Sequence, residues 1–185
     1  ENSFLDNEGG ALGISWIGDQ WTAGVSFTAY NSEYGIPGAH AHVHGEEEHE
    51  EEGEDHDEDE HGEEEELVSV GLENRRVDAL LLGTDPFKGF EQIKLNLTRT
   101  DYTHTEFEGD EVGTVFDSES TDTRLELRHS PWGAWEGVFG AQYTDRDFSA
   151  IGDEAFVPPS EASTWALFWV ESMEMDNWRF DLGVR

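Results

Sequence analysis

The chain has no cysteine and only five prolines among its 185 residues. A disulfide framework and thiolate metal sites are thereby excluded, although that absence does not fix the compartment. Positive charge is also scarce, with ten Lys and Arg against 44 Asp and Glu and a formal net charge of −34. Nucleic acid is therefore excluded as a partner, because phosphate binding needs clustered Lys and Arg, and cations are the natural partners instead. No apolar run approaches the roughly 20 residues of a membrane-spanning helix, so any membrane role would fall to strands. The first residue is Glu1 and no charged and apolar leader follows it, so no targeting signal is read.

What is present is alternation. In "QWTAGVSFTAY", Trp21, Ala23, Val25, Phe27 and Ala29 fall on one side and Thr22, Gly24, Ser26 and Thr28 on the other, which is a strand with one apolar and one small polar face. Near the C-terminus, Trp178, Phe180, Leu182 and Val184 alternate with Arg179, Asp181, Gly183 and Arg185. Weaker versions pass through Val77, Leu81, Ile93, Leu97, Leu125, Phe139, Tyr143, Trp165 and Trp169, and "ALGISWIG" supplies another at the front. The reading is all-β, with about eight antiparallel strands of about ten residues each and no helix.

The connections are expected to alternate in length. Short links at Gly18 to Gln20, Asp85 to Gly89, Ser130 to Gly133 and Met175 to Asn177 alternate with longer ones at Asn31 to Leu67, Gly109 to Val115 and Ile151 to Ser163. Strands long enough to cross a bilayer at a tilt, with short turns at one end and long loops at the other, are the signature of an outer-membrane barrel. A soluble antiparallel sandwich or lipocalin-like barrel alternates too. Two features favour the membrane: charges and glycines occur deep in the polar face, and Trp16, Trp21, Tyr30, Trp132, Trp135 and Trp178 gather at strand ends like an interfacial girdle. The last strand stops at Arg185 in mid-pattern, so the chain reads as a segment of a larger transmembrane β-barrel.

One stretch stands apart. "PGAHAHVHGEEEHEEEGEDHDEDEHGEEEE", Pro37 to Glu66, holds six histidines, His40, His42, His44, His49, His56 and His61, among sixteen acids, with no Lys or Arg. Such a run cannot bury apolar area and is expected to be a disordered, solvated loop spanning residues 31–67. The charge is not all local, because removing its sixteen acids from the 44 leaves 28 against ten bases, still −18. Imidazole with carboxylate suits zinc, and also nickel, cobalt or copper(II), while the lack of cysteine disfavours copper(I). His40, His42 and His44 alternate, so a flexible chain can wrap all three around a tetrahedral ion. The acids add a negative potential that concentrates divalent cations, and the loop reads as a collector that passes metal to a deeper site. The bland alternative is a solvated acidic screen, for which acids alone would serve.

The sequence resembles the TonB-dependent outer-membrane receptors, and within them the zinc-uptake (ZnuD-type) group. The resemblance rests on "YGIPGAHAHVH", "PFKGFEQIKLNLTRTDYTHTEFEGDEVGTVF", "RLELRHSPWGAWEGVFGAQYTDRDFSAIGDEAFVPP" and "WRFDLGVR", which together cover most of Trp16 to Arg185. It implies a monomeric barrel of about twenty-two strands in bacterial outer-membrane lipid. It also implies a divalent metal ion, zinc foremost, as transported substrate, and coupling to the TonB complex through a plug domain. The plug and the terminal strand of the family are absent from this sequence, so the chain corresponds to a middle part of such a barrel.

Outside the tract, His104 in "TDYTHTEFEGDE" is a candidate inner ligand with Asp101 and Glu106 near it, and Glu154 is a further candidate in the third long connection. A structural role for His104 is equally open, and His129, beside a short turn, reads as structural. No phosphate loop, zinc-protease helix or nucleophile elbow is present, so no enzyme is read. Two other functions compete with metal-ion uptake: a receptor for a chelate such as haem or a siderophore, and a soluble metal-sequestering β-protein.

Overall fold

A computed structural model describes residues 2–41, 66–152 and 155–185. Among these residues there is no helix, and eight strands follow one another in a single sheet: β1 (Leu5–Ile17), β2 (Trp21–Ala41), β3 (Glu66–Phe87), β4 (Phe90–Glu108), β5 (Glu111–His129), β6 (Trp135–Gly152), β7 (Ser160–Met175) and β8 (Trp178–Val184). Their order across the sheet is their order in the chain, each antiparallel to the next. The all-β antiparallel class is the one that the alternation predicts.

The ladder register sorts the side chains into two faces. One row across seven strands is Trp16, Ala23, Leu81, Leu95, Leu125, Ala141 and Leu167, all apolar. On the opposite face runs the row Ser26, Asp78, Thr98, Asp122, Thr144 and Thr164. Its members are tied across strands: the Thr98 hydroxyl donates to Asp78 at 2.8 Å and that of Thr144 to Asp122 at 2.7 Å. Arg76 pairs with Asp78 at 2.7 Å, and Arg124 pairs with Glu126 at 2.6 Å while lying over the Phe168 ring.

The apolar face is not folded into a core. Val70 and Ala150 are the buried apolar residues among those described, whereas Ile14, Val25, Phe27, Leu81, Leu97 and Leu167 are all exposed. A soluble sandwich would cover this face with a second sheet. Here the polar face carries the internal hydrogen bonds and the apolar face is bare, which is the arrangement of a barrel wall with a wet interior.

Most of the strands are longer than the alternation suggests, and β2 to β5 are about twice as long. β2 and β3 have 21 and 22 residues, and β4 and β5 have 19 each. At about 3.3 Å per residue, such strands reach roughly 60–70 Å, where 9–11 tilted residues suffice to cross a hydrocarbon core. The extra length lies on the side of the long connections. There the outward row Arg75, Asp101, Glu119, Asp147 and Glu161 is charged throughout.

That extension corrects the boundaries of the long connections. β2 continues through Asn31 to Ala41 and β3 starts at Glu66, with Asn31 opposite Glu73, Tyr34 opposite Val70 and Ala41 opposite Glu66. The ladder there is held by backbone hydrogen bonds and needs no apolar side chains, so a reading based on hydrophobic alternation stopped short of it. The expected loop at Gly109 to Val115 is instead a two-residue turn, Gly109 and Asp110, with β5 already begun at Glu111. Gly109 has φ 59°, a left-handed conformation open to glycine, and it lets the hairpin close in two residues. The third connection also shrinks, since β6 runs to Gly152 and β7 begins at Ser160. The four short links lie where the sequence puts them, all at the opposite end of the sheet.

Candidate functional site

Most of the predicted metal ligands fall outside the described residues: His42, His44, His49, His56, His61 and Glu154. For His40 the backbone alone is placed, near the end of β2 and opposite Leu67 of β3. The described part of the β2–β3 ladder ends with Ala41 and Glu66, two residues that face each other across it and bound the rest of the histidine and acid tract. Both of its anchors sit on the long-connection end.

His104 lies further down on the polar face. The register puts it in the row Ser32, Leu72, His104, Phe116 and Ala150, five residues along β3 from Leu67, or about 17 Å at strand spacing. Its ring packs edge-on against Phe116 at 5.4 Å. Nδ1 is 3.4 Å from the Tyr102 hydroxyl, and Nε2 is 3.5 Å from Glu106 Oε1. The latter contact is close enough for an ion pair but too long to hydrogen-bond well, and Nε2 is buried without a hydrogen-bond partner among the described residues. Tyr102, His104 and Glu106 alternate along β4, so the strand itself directs all three to one face.

Asp101 does not belong with them. It has the opposite parity and pairs with Arg99 at 3.2 Å on the outward face, where Arg99 also binds Glu119. The pair His104 and Glu106 thus offers one imidazole and one carboxylate to the interior. No group of three His, Asp or Glu poised to hold a metal occurs among the described residues. A metal ion would need further donors to complete four-coordination there.

Sequence reading missed one cluster. His129, taken as structural, is fully buried, with Nε2 2.8 Å from Oε1 of Glu171, a residue 42 positions away that no motif singled out. Glu171 did leave a trace: it interrupts the outward-facing series Trp165, Leu167, Trp169 and Met173, where an acid is out of place. The cluster sits at the short-turn end, far from the tract.

No known family model matches the chain. In fold it is similar to BauA, the ferric preacinetobactin receptor of Acinetobacter baumannii, with a TM-score of 0.58, 9% sequence identity, and coverage of 94% of this chain and 29% of that one. The chain thus spans under a third of the length of the receptor that it matches. At such low identity the likeness concerns fold alone, and it places this eight-stranded sheet beside a stretch of a receptor's β-barrel.

Proposed function

We propose that the chain is a barrel segment of a TonB-dependent outer-membrane receptor that takes up a divalent metal ion, zinc foremost, and that the histidine and acid tract joining β2 to β3 is an extracellular metal-capture segment. Nickel, cobalt and copper(II) suit the same donors. The observation that carries this reading is the joining of a bare apolar face, backed by a hydrogen-bonded polar one, to a six-histidine tract rooted at one end of the sheet. The tract gathers the ion by its negative potential and binds it through His40, His42 and His44, with His49, His56 and His61 as further ligands. His104 with Glu106 then receives it on the interior face, and Glu154 is a candidate helper. Coupling to TonB would run through a plug domain outside this chain. No covalent chemistry is involved.

A second reading has one specific point in its favour, namely that BauA is a receptor for a ferric chelate. Under that reading the barrel segment is the same and the tract is an acidic screen. A peptide covering Pro37 to Glu66 separates the two. By titration calorimetry it should bind zinc, and the triple variant His40→Ala, His42→Ala, His44→Ala should bind zinc at least about tenfold more weakly, with calcium affinity little changed, because calcium prefers oxygen ligands. Imidazole must lose its proton to coordinate, and its reference pKa is about 6.5, so zinc affinity should fall as pH drops from about 7.5 to 5.5. A triple-alanine peptide that holds zinc as tightly as the parent would favour the acidic screen.

A further inference from the structure

β6 and β7 are joined by residues 153–159, so their connection does not fix their register as the two-residue turn fixes that of β4 and β5. Nor does the apolar face. Its outward series include Leu125 and Leu127 on β5, Phe139 and Ala141 on β6, and Leu167 and Trp169 on β7. A slip of two residues keeps every side chain on its face, sets apolar against apolar and lets the backbone ladder re-form.

One row breaks this uniformity. Gly137 of β6 pairs with Glu171 of β7, and it lies one step beyond the Arg128–Val138 pair, opposite His129 of β5. Glu171 reaches across the glycine to the strand beyond it: His129 Nε2 is 2.8 Å from Glu171 Oε1, and the two residues are 1% and 5% exposed. The crossing needs Gly137, because a Cβ there would lie 2.5 Å from the Glu171 carboxyl carbon and 2.4 Å from the Val170 carbonyl oxygen. His129 Nδ1 donates to the Ser130 carbonyl at 2.8 Å, Trp169 Nε1 donates to Glu171 Oε1 at 2.6 Å, and Trp132 stacks on the imidazole at 4.1 Å.

This cluster is a poor source of stability. Glu171 Oε2 is buried with no hydrogen-bond partner among the described residues, and a buried pair left part-satisfied is often matched or bettered by apolar residues of similar volume. What apolar residues cannot do is tell one row from the next. We propose that His129, Gly137 and Glu171 form a register lock that selects a single alignment of β5, β6 and β7. A two-residue slip between β6 and β7 sets Glu171 against Trp135 or Phe139, whose side chains block the crossing, and parts the carboxylate from the imidazole. A one-residue slip turns Glu171 to the other face. Buried polar groups fix register in this way at a cost in stability. The lock rests on the membrane placement argued under Proposed function, because water would solvate the parted groups and lipid would not.

Disulfide mapping in the full-length protein, assembled in outer membranes, tests the lock, and the chain has no cysteine of its own to interfere. Gln142→Cys with Ala166→Cys reports the native alignment, in which these residues pair. Gln142→Cys with Thr164→Cys, and Thr144→Cys with Ala166→Cys, report two-residue slips in either direction, since diagonal partners stand too far apart to bridge in the native register. With the lock intact, the native pair alone should form a disulfide. The double variant His129→Leu, Glu171→Leu should still assemble, as judged by heat-modifiable migration, and one slip reporter should rise at least about tenfold. Gly137→Ser keeps both partners and blocks the crossing, so it should do the same, and it decides the matter if the double variant does not assemble. The native disulfide alone in either assembled variant would overturn the proposal. So would failure of both to assemble, because a lock of this kind chooses between pairings and does not permit them. Quenching of tryptophan by brominated phosphatidylcholine in vesicles separates the two levels: quenching with an unslipped variant sinks the lock alone, and no quenching sinks the membrane placement with it.

Discussion

On the short-turn half of β4, Ile93, Leu95 and Leu97 share one face, and Lys94, Asn96 and Thr98 the other. On the long-connection half of the same strand, Arg99, Asp101 and Thr103 continue the first face, and Thr100, Tyr102 and His104 the second. The backbone ladder is unbroken between the halves, since Leu97 pairs with Ala79 and Asp101 with Arg75. What changes is the composition of the outward face. A period of two appears in composition where the two faces meet different media, and it fades where both meet water. The change takes two ladder rows, from Ile14, Val25, Ala79 and Leu97, through Leu12, Phe27, Val77 and Arg99, to Gly10, Ala29, Arg75 and Asp101. Such a sharp change is what the edge of a hydrocarbon layer would produce, as the proposed membrane placement requires.

The largest test of this contrast is a cation placed in the apolar half. Val25→Arg should block assembly, because a cation near the bilayer midplane costs about 2–4 kcal/mol, while Ser26→Arg, one residue along and facing the interior, should assemble. Outer-membrane fractionation with heat-modifiable migration reads both, and equal outcomes would mean that the faces are misassigned. A middle-sized effect is expected at the top of the charged half. Gly109→Val forces a β-branched residue into a left-handed turn and should cost about 1–2 kcal/mol in urea unfolding of the micelle-bound protein. A negligible change would show that the hairpin closes another way. The smallest effect should come from the exposed pair Arg75 and Glu73, 3.4 Å apart. Arg75→Ala should move Tm by less than about 2 °C, as exposed ion pairs contribute little, and a large drop would mean that the charged half is braced by its surface charges.

How much of this was legible in the sequence follows from the same contrast. The strands of the apolar half could be read one by one, and so could the short links, where Asp85, Gly89 and Gly133 supply turn chemistry. The upper strand segments could not, because Asn31 to Gly35 and Ser69 to Glu73, and beyond a break in register His40 and Ala41 with Glu66 and Leu67, are held by backbone pairing with no compositional mark. Gly109 and Asp110 read as the start of a loop, since the acids around them look like loop residues until a left-handed φ makes a two-residue turn. For the candidate site, parity alone set Glu106 beside His104 and removed Asp101 to the other face. The partnership of His129 with Glu171 depends on how β5, β6 and β7 stack, and only the misplaced acid in β7 hinted at it.

The neighbour-to-neighbour order of the strands bears on how such a chain can change over time. Every ladder joins strands consecutive in the chain, so the sheet can grow one hairpin at a time, each new strand adding to the free edge of the last. The one pairing that must wait for a long intervening segment is β2 with β3, across residues 42–65. Closing that gap costs only about 0.6 kcal/mol more for each doubling of its length. Because Ala41 and Glu66 pair directly, the ladder below them is indifferent to what is inserted above. The tract is therefore the part of the molecule most open to lengthening or shortening, and the ladder of the barrel wall can stay as it is while the tract's length changes.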